Sequence, residues 1–178
     1  MKSNLEIITK AEGAERLLRT AVDIFFSKGD LLSAHVLSTA AHEVLHVLLK
    51  SQGKKLSFMK DNPVVRQDMQ KKYHDIIHET QNFLKHAARD PSAKLEYASE
   101  ETAFWIFDSI LLFYNLTGGL KYRTFALFVL WFKIEHYEVL EENAFEMFKN
   151  AGVSSDFVKA NYKRIMENPK QSFLANLL

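Results

Sequence analysis

Cysteine is absent from this 178-residue chain, which excludes a disulfide framework and thiolate ligation of a metal. Proline (3) and glycine (6) are scarce. Set beside 47% hydrophobic residues, that scarcity favours a compact helical protein with short turns. An excess of one charge is also missing: the formal net charge is +1. The molecule as a whole therefore exerts no long-range pull on nucleic acid, and only a local patch could do so. Long apolar runs are lacking too. Phe104 to Leu116 is interrupted by Asp108 and closed by Thr117-Gly118-Gly119, and Phe125 to Phe132 is shorter. Neither reaches the roughly 18–20 residues of a membrane span. The opening Met1-Lys2-Ser3-Asn4-Leu5-Glu6 lacks the apolar run of a secretion signal. A cytoplasmic protein that meets no membrane is expected.

What is present is helical periodicity. Ala11, Ala14, Leu18, Ala21 and Phe25 recur three and four apart, predicting a helix from about Leu5 to Lys28. Gly29 stops it and Asp30 caps a second helix over Leu31 to Lys50, with Leu37, Ala41, Val44 and Leu48 as its inward face. After a polar loop, Asn62-Pro63 opens a third helix that runs to Arg89, with a break in its first half. Its apolar stripe is Met69, Tyr73, Ile76, Thr80, Phe83 and Ala87. Ser99 caps a fourth helix ending at Thr117, and a fifth covers Tyr122 to Ile134. Amphipathic stretches over His136 to Asn150 and from Ser154/Ser155 to Glu167 follow, and Asn168-Pro169 breaks the last of them. Without strand alternation or an internal repeat, the expectation is one all-α domain over residues 1–178. Its core bundle spans about 5–134 and a C-terminal helical extension about 135–178.

Three groups of residues carry potential chemistry. At the end of the third helix Asn82 and His86 stand one turn apart, with Lys85 and Arg89 adding charge before Asp90-Pro91. Such a cluster suits an anion or acid–base chemistry, and equally suits a well-terminated helix, whose C-terminus favours cations. His42-Glu43-Val44-Leu45-His46 matches H-E-x-x-H, in which two imidazoles bind zinc and the glutamate acts as base. His35 falls on the same face, within about 40° of both. These histidines lie opposite Leu37, Ala41, Val44 and Leu48, so the simpler reading is a solvated or dimer-facing polar stripe. A di-iron reading would combine Glu43/His46 and Asp75/His78 with Glu15 or Asp23 and Glu101 or Asp108. The polar placement of Asp75 and His78 argues against it.

Asp108 is the third feature. Set among Phe104, Trp105, Ile106, Phe107 and Ile110, it must find a partner or take up a proton. It could act as a tuned acid or orient a histidine as part of a site, or simply pair with a hydroxyl or a basic residue. Trp105, Phe113, Trp131 and Phe132 are spaced for core packing, and Glu138, Glu141 and Glu142 for solvated surface.

The order of these segments resembles a family of small uncharacterised bacterial proteins. The likeness rests on Ala14-Glu15-Arg16-Leu17-Leu18, Asp23-Ile24-Phe25-Phe26, Ala34 to His42 and, most specifically, Asn82 to Pro91. It covers about residues 10–140. More distantly the layout resembles HEPN domains, helical bundles that form dimers and bind nucleotides or cleave RNA. Their hallmark is arginine, a polar residue, three residues, then histidine. Gln81-Asn82-Phe83-Leu84-Lys85-His86 keeps the polar residue and histidine but has no arginine. The resemblance implies a HEPN-like up-and-down bundle, a homodimer, and a non-catalytic module that binds a nucleotide, RNA or a protein partner. Asn82, Lys85 and Arg89 would contact ligand, and His86 would exchange a proton. No cofactor is called for. The alternatives are a ribonuclease using His86 or a metal hydrolase using His42 and His46.

Overall fold

The computed structural model describes residues 5–61 and 65–136, together with 156, 158–160 and 162. Six α-helices appear in the first two segments: α1 Lys10–Phe26, α2 Leu31–Ser51, α3 Gln70–Ile77, α4 Glu79–Lys85, α5 Glu101–Thr117 and α6 Arg123–Glu135. A single 3-10 turn, Gln67–Met69, precedes α3, and no strand occurs among the described residues. The all-α class follows. The expected features at Asn62-Pro63, over 137–150, at Ser154/Ser155 and Asn168-Pro169, and at Glu138, Glu141 and Glu142 lie outside the described residues.

Local chemistry sets the helix ends. Thr9 and Glu12 form a capping box: the Glu12 amide donates to Thr9 Oγ1 at 3.2 Å and the Thr9 amide to Glu12 Oε2 at 2.7 Å. This box starts α1 at Lys10, five residues later than the apolar pattern alone suggested. Asp30 caps α2 as expected, accepting from the Ser33 amide at 2.9 Å. Between them the Gly29 amide donates to the Ile24 carbonyl at 3.0 Å, and a Cβ on Gly29 would lie 2.9 Å from Ile24 Cγ2. Glycine is thus required by close approach, while the left-handed position (φ 55°) falls on Lys28. Ser99 does not cap α5: the residue before the helix is Glu100, which makes no side-chain cap. Gly118, at φ 76°, ends α5.

The third expected helix is corrected. The chain breaks at His78 (φ −106°, ψ 5°), α4 ends at Lys85, and turns continue to Arg89. The break changes register, so positions before and after it no longer share a face. Thr80 is buried and Phe83 half-buried, whereas Met69, Ile76 and Ala87 of the proposed stripe are exposed.

α2 lies between α1 and α5, and α6 touches both α1 and α5. Ala14, Leu18, Ala21, Val22 and Phe26 of α1 face inward against the aromatic rows of α5 and α6. Phe107 stacks on Phe132 at 4.0 Å, and Phe128 meets Phe25, Phe26 and Trp131 at 5.2–5.8 Å. Trp105, Phe113, Trp131 and Phe132 are all buried. From the C-terminal part, Val158 and Tyr162 join this core, with the Tyr162 ring stacked on Phe26 at 4.4 Å. α2 is long and apolar enough by composition to cross a membrane; here it is a core helix bearing three buried histidines.

Candidate functional site

Of the face the apolar pattern marked on α2, Ala41 is buried, but the most buried side of the helix is the one that carries the histidines. His35 and His42 are fully buried and His46 nearly so, while Leu37, Val44 and Leu48 are only half-buried. The expectation of a solvated or dimer-facing histidine stripe is corrected. Its physical cause lies across the interface, in Asp108 of α5.

Asp108 Oδ2 accepts from three donors: His42 Nε2 at 2.8 Å, the Ser57 hydroxyl at 2.6 Å and the Met59 amide at 3.3 Å. Four residues along α2, His46 Nε2 reaches Asp61 at 3.1 Å, and Asp61 also accepts from the Ser57 amide at 3.1 Å. Glu43 pairs with Lys60. Every chemical side chain of the H-E-x-x-H motif is therefore engaged by the segment Ser57–Asp61 or by Asp108. The motif acts as a clamp that fastens this irregular segment to α2 and α5, satisfying backbone and side-chain donors that would otherwise be buried unpaired. Asp108 meets both partners expected of it, a hydroxyl and a basic residue, and it orients a histidine.

The arrangement does not assemble a hydrolytic triad. In a triad the imidazole stands between hydroxyl and carboxylate, using one nitrogen for each. Here one nitrogen, His42 Nε2, faces both Ser57 and Asp108, and Ser57 donates directly to Asp108. The group is also closed to solvent. Nor do the imidazoles converge on one point for a metal. Their rings lie nearly parallel, 6.0 Å apart, with each Nε2 turned to a different carboxylate. Among the described residues no group of three or more His, Asp or Glu is placed to hold a metal ion. The carboxylates of the di-iron reading scatter: Glu15 bonds the Tyr122 hydroxyl, Asp23 bonds the Tyr162 hydroxyl, and Glu101 is exposed.

Trp105 is the centre of this polar interior. His42, His78 and His35 surround its ring at 4.9, 5.6 and 6.3 Å. His78 has thus turned inward, against its expected polar placement, while Asp75 remains exposed. Trp105 Nε1, His35 Nε2, His42 Nδ1, His78 Nδ1 and Asp108 Oδ1 have no hydrogen-bond partner among the described residues. Burial holds the His35 and His78 imidazoles neutral down to about 4. His42 is pushed down by the same desolvation, with Asp108 opposing it.

The cluster at the end of α4 is different in kind. Asn82, Lys85, His86 and Arg89 are all exposed, and their side chains make no hydrogen bond or ion pair among the described residues. The Asn82 carbonyl accepts from the His86 amide at 3.0 Å, and the His86 carbonyl from the Arg89 amide at 2.8 Å. Backbone geometry therefore holds the four residues within two turns of chain. His42 and His46 instead direct their Nε2 atoms to Asp108, Ser57 and Asp61. Gln81, one residue before Asn82, is 9% exposed.

Ser57, Lys60 and Asp61 went unnoticed in the sequence. The one signal that pointed to them was the need of Asp108 for a partner. Comparison of the chain with protein-family models, curated proteins and solved structures found no match.

Proposed function

We propose that this chain is a HEPN-like helical module, cytoplasmic and homodimeric, that binds the phosphates of a nucleotide or RNA without cleaving them. The observation that carries the reading is the group at the end of α4: the Lys85, His86 and Arg89 side chains are exposed and unpaired among the described residues, beside the amide of Asn82. Cations free of internal partners are what a phosphate backbone recruits. Lys85 and Arg89 contact phosphate in this reading, Asn82 hydrogen-bonds, and His86 is the group able to exchange a proton. Absence of catalysis is supported by Gln81, a neutral and largely covered amide where a cleaving domain would hold a guanidinium. The metal-hydrolase alternative would first have to release His42, Glu43 and His46 from Asp108, Lys60 and Asp61. Exposed Val36 and Val47 on α2 supply apolar surface for a second copy or another protein partner.

The test is fluorescence anisotropy with labelled single-stranded RNA over a salt series, comparing the wild type with Lys85→Ala/Arg89→Ala. The double variant is expected to bind at least about tenfold more weakly, with a salt slope shallower by roughly two phosphate contacts. Equal affinity in the two proteins removes the reading. RNA cleavage that disappears in His86→Ala would replace it with the ribonuclease alternative.

A further inference from the structure

Beside the clamp lies a cavity of about 200 Å³, walled on one side by Lys55, Lys60 and Asp61 and on the other by Gln70, Tyr73 and His74. Its formal charges are unevenly used. Lys60 is paired with Glu43, and Asp61 is occupied by His46 and by the Ser57 amide. The side chains of Lys55, Gln70 and His74, in contrast, make no hydrogen bond or ion pair among the described residues. The cavity therefore presents the Lys55 ammonium, an amide and an imidazole, with the Asp61 carboxylate committed to His46 and the Ser57 amide, around a volume equal to roughly seven waters' share of the liquid. That is room for a phosphoryl group and a few carbon atoms, and it is smaller than a typical drug-sized pocket of about 300 Å³ or more.

We propose that this cavity binds a small phosphate monoester, with Lys55, Gln70 and His74 donating to its terminal oxygens. Three separate donor side chains suit an anion with three terminal acceptor oxygens better than a carboxylate, which has two. One wall is fixed before any ligand arrives. Ser57 and Asp61 are tied to Asp108 and His46, and the Lys60 amide donates to Ser57 Oγ at 2.9 Å, so the backbone of that wall is held in place. The opposite wall communicates with the interior: His74 stacks on His78 at 6.1 Å, and His78 lies against Trp105. The site is separate from the α4 cations and does not depend on the RNA reading.

Isothermal titration with glycerol 3-phosphate at constant ionic strength tests it, with glycerol as the uncharged control. Saturable binding of the phosphate and none of glycerol is expected. Affinity should fall at least about tenfold in Lys55→Gln/His74→Gln and stay within about twofold in Lys85→Ala/Arg89→Ala. No saturable binding to the wild type overturns the proposal, as does unchanged affinity in the Lys55/His74 variant. Loss confined to the Lys85/Arg89 variant also overturns it, by moving the phosphate contact to α4. Should the cavity variant not fold, the wild-type His74 imidazole resonance decides: it must move with glycerol 3-phosphate and stay in place with glycerol.

Discussion

Two ring clusters share this small bundle and are stabilised by opposite means. The first, formed by Phe25, Phe26, Phe128 and Trp131 with Phe107 and Phe132, is apolar and joins α1, α5 and α6. The second gathers His35, His42 and His78 around Trp105 and ends in Asp108. Burial of the first is non-directional: any arrangement that removes those rings from water is rewarded in proportion to area. The second depends on directional bonds made by His42, His46 and Asp108 to Ser57, Met59 and Asp61, and those bonds fix the position of an irregular segment. An apolar cluster makes a bundle, whereas a polar one specifies where a loop must lie.

That contrast can be tested by breaking each side. Phe128→Ala should produce the largest loss, about 3–5 kcal/mol by urea unfolding, because a fully buried ring leaves a cavity among its neighbours. The loss should be similar at pH 7 and pH 5.5, since the rings that meet Phe128 among the described residues are Phe25, Phe26, Trp131 and Phe132, none of which titrates there. An equal or smaller cost than a surface substitution would show that the aromatic cluster repacks. Asp108→Ala should cost somewhat less, about 3 kcal/mol, by leaving His42 Nε2 and the Ser57 hydroxyl without their acceptor. Its distinctive mark is local: amide exchange over 57–61 should accelerate far more than exchange in α1. Uniform acceleration through the molecule would mean that Asp108 supports the whole bundle and not the clamp.

Acid should separate the clusters with the smallest step. The folded His35 and His78 imidazoles are held down to about 4, while an unfolded histidine titrates near 6.5. Between these values the unfolded chain binds more protons, so this contribution is complete above about pH 6.5 and is lost as pH falls toward 4. From pH 7 to pH 5, fully buried His35 should remove about 2 kcal/mol of stability, and half-buried His78 less. His35→Gln should flatten the stability–pH profile in that window. A profile that stays as steep would assign the acid sensitivity to other groups.

Much of this was legible in the residues. The all-α class, the α1 seam through Ala14, Leu18 and Ala21, the Asp30 cap and the glycine stop at Gly118 all follow from local period and turn chemistry. The burial of Trp105 and Trp131 follows from their size. The α2 face was misread for an identifiable reason. Histidine counts as polar in a periodicity argument, and the partners supplied by Asp108 and Asp61 make the burial of His42 and His46 favourable. The break at His78 was misplaced because Met69, Tyr73, Ile76 and Thr80 read as one continuous stripe, although the chain changes register between them.

The sequence by itself determined which segments are helical, where most of them stop, and that Asp108 required a partner. Those properties depend on neighbours three or four residues away, on caps, and on the cost of desolvating one carboxyl group. The tertiary structure alone decided that the partners are His42 and Ser57, 66 and 51 residues distant along the chain, and that His46 reaches Asp61. It also decided that Lys55 and His74 border one cavity. Directional contacts between remote residues leave no period in the chain, so they become visible only once the helices have set their distances.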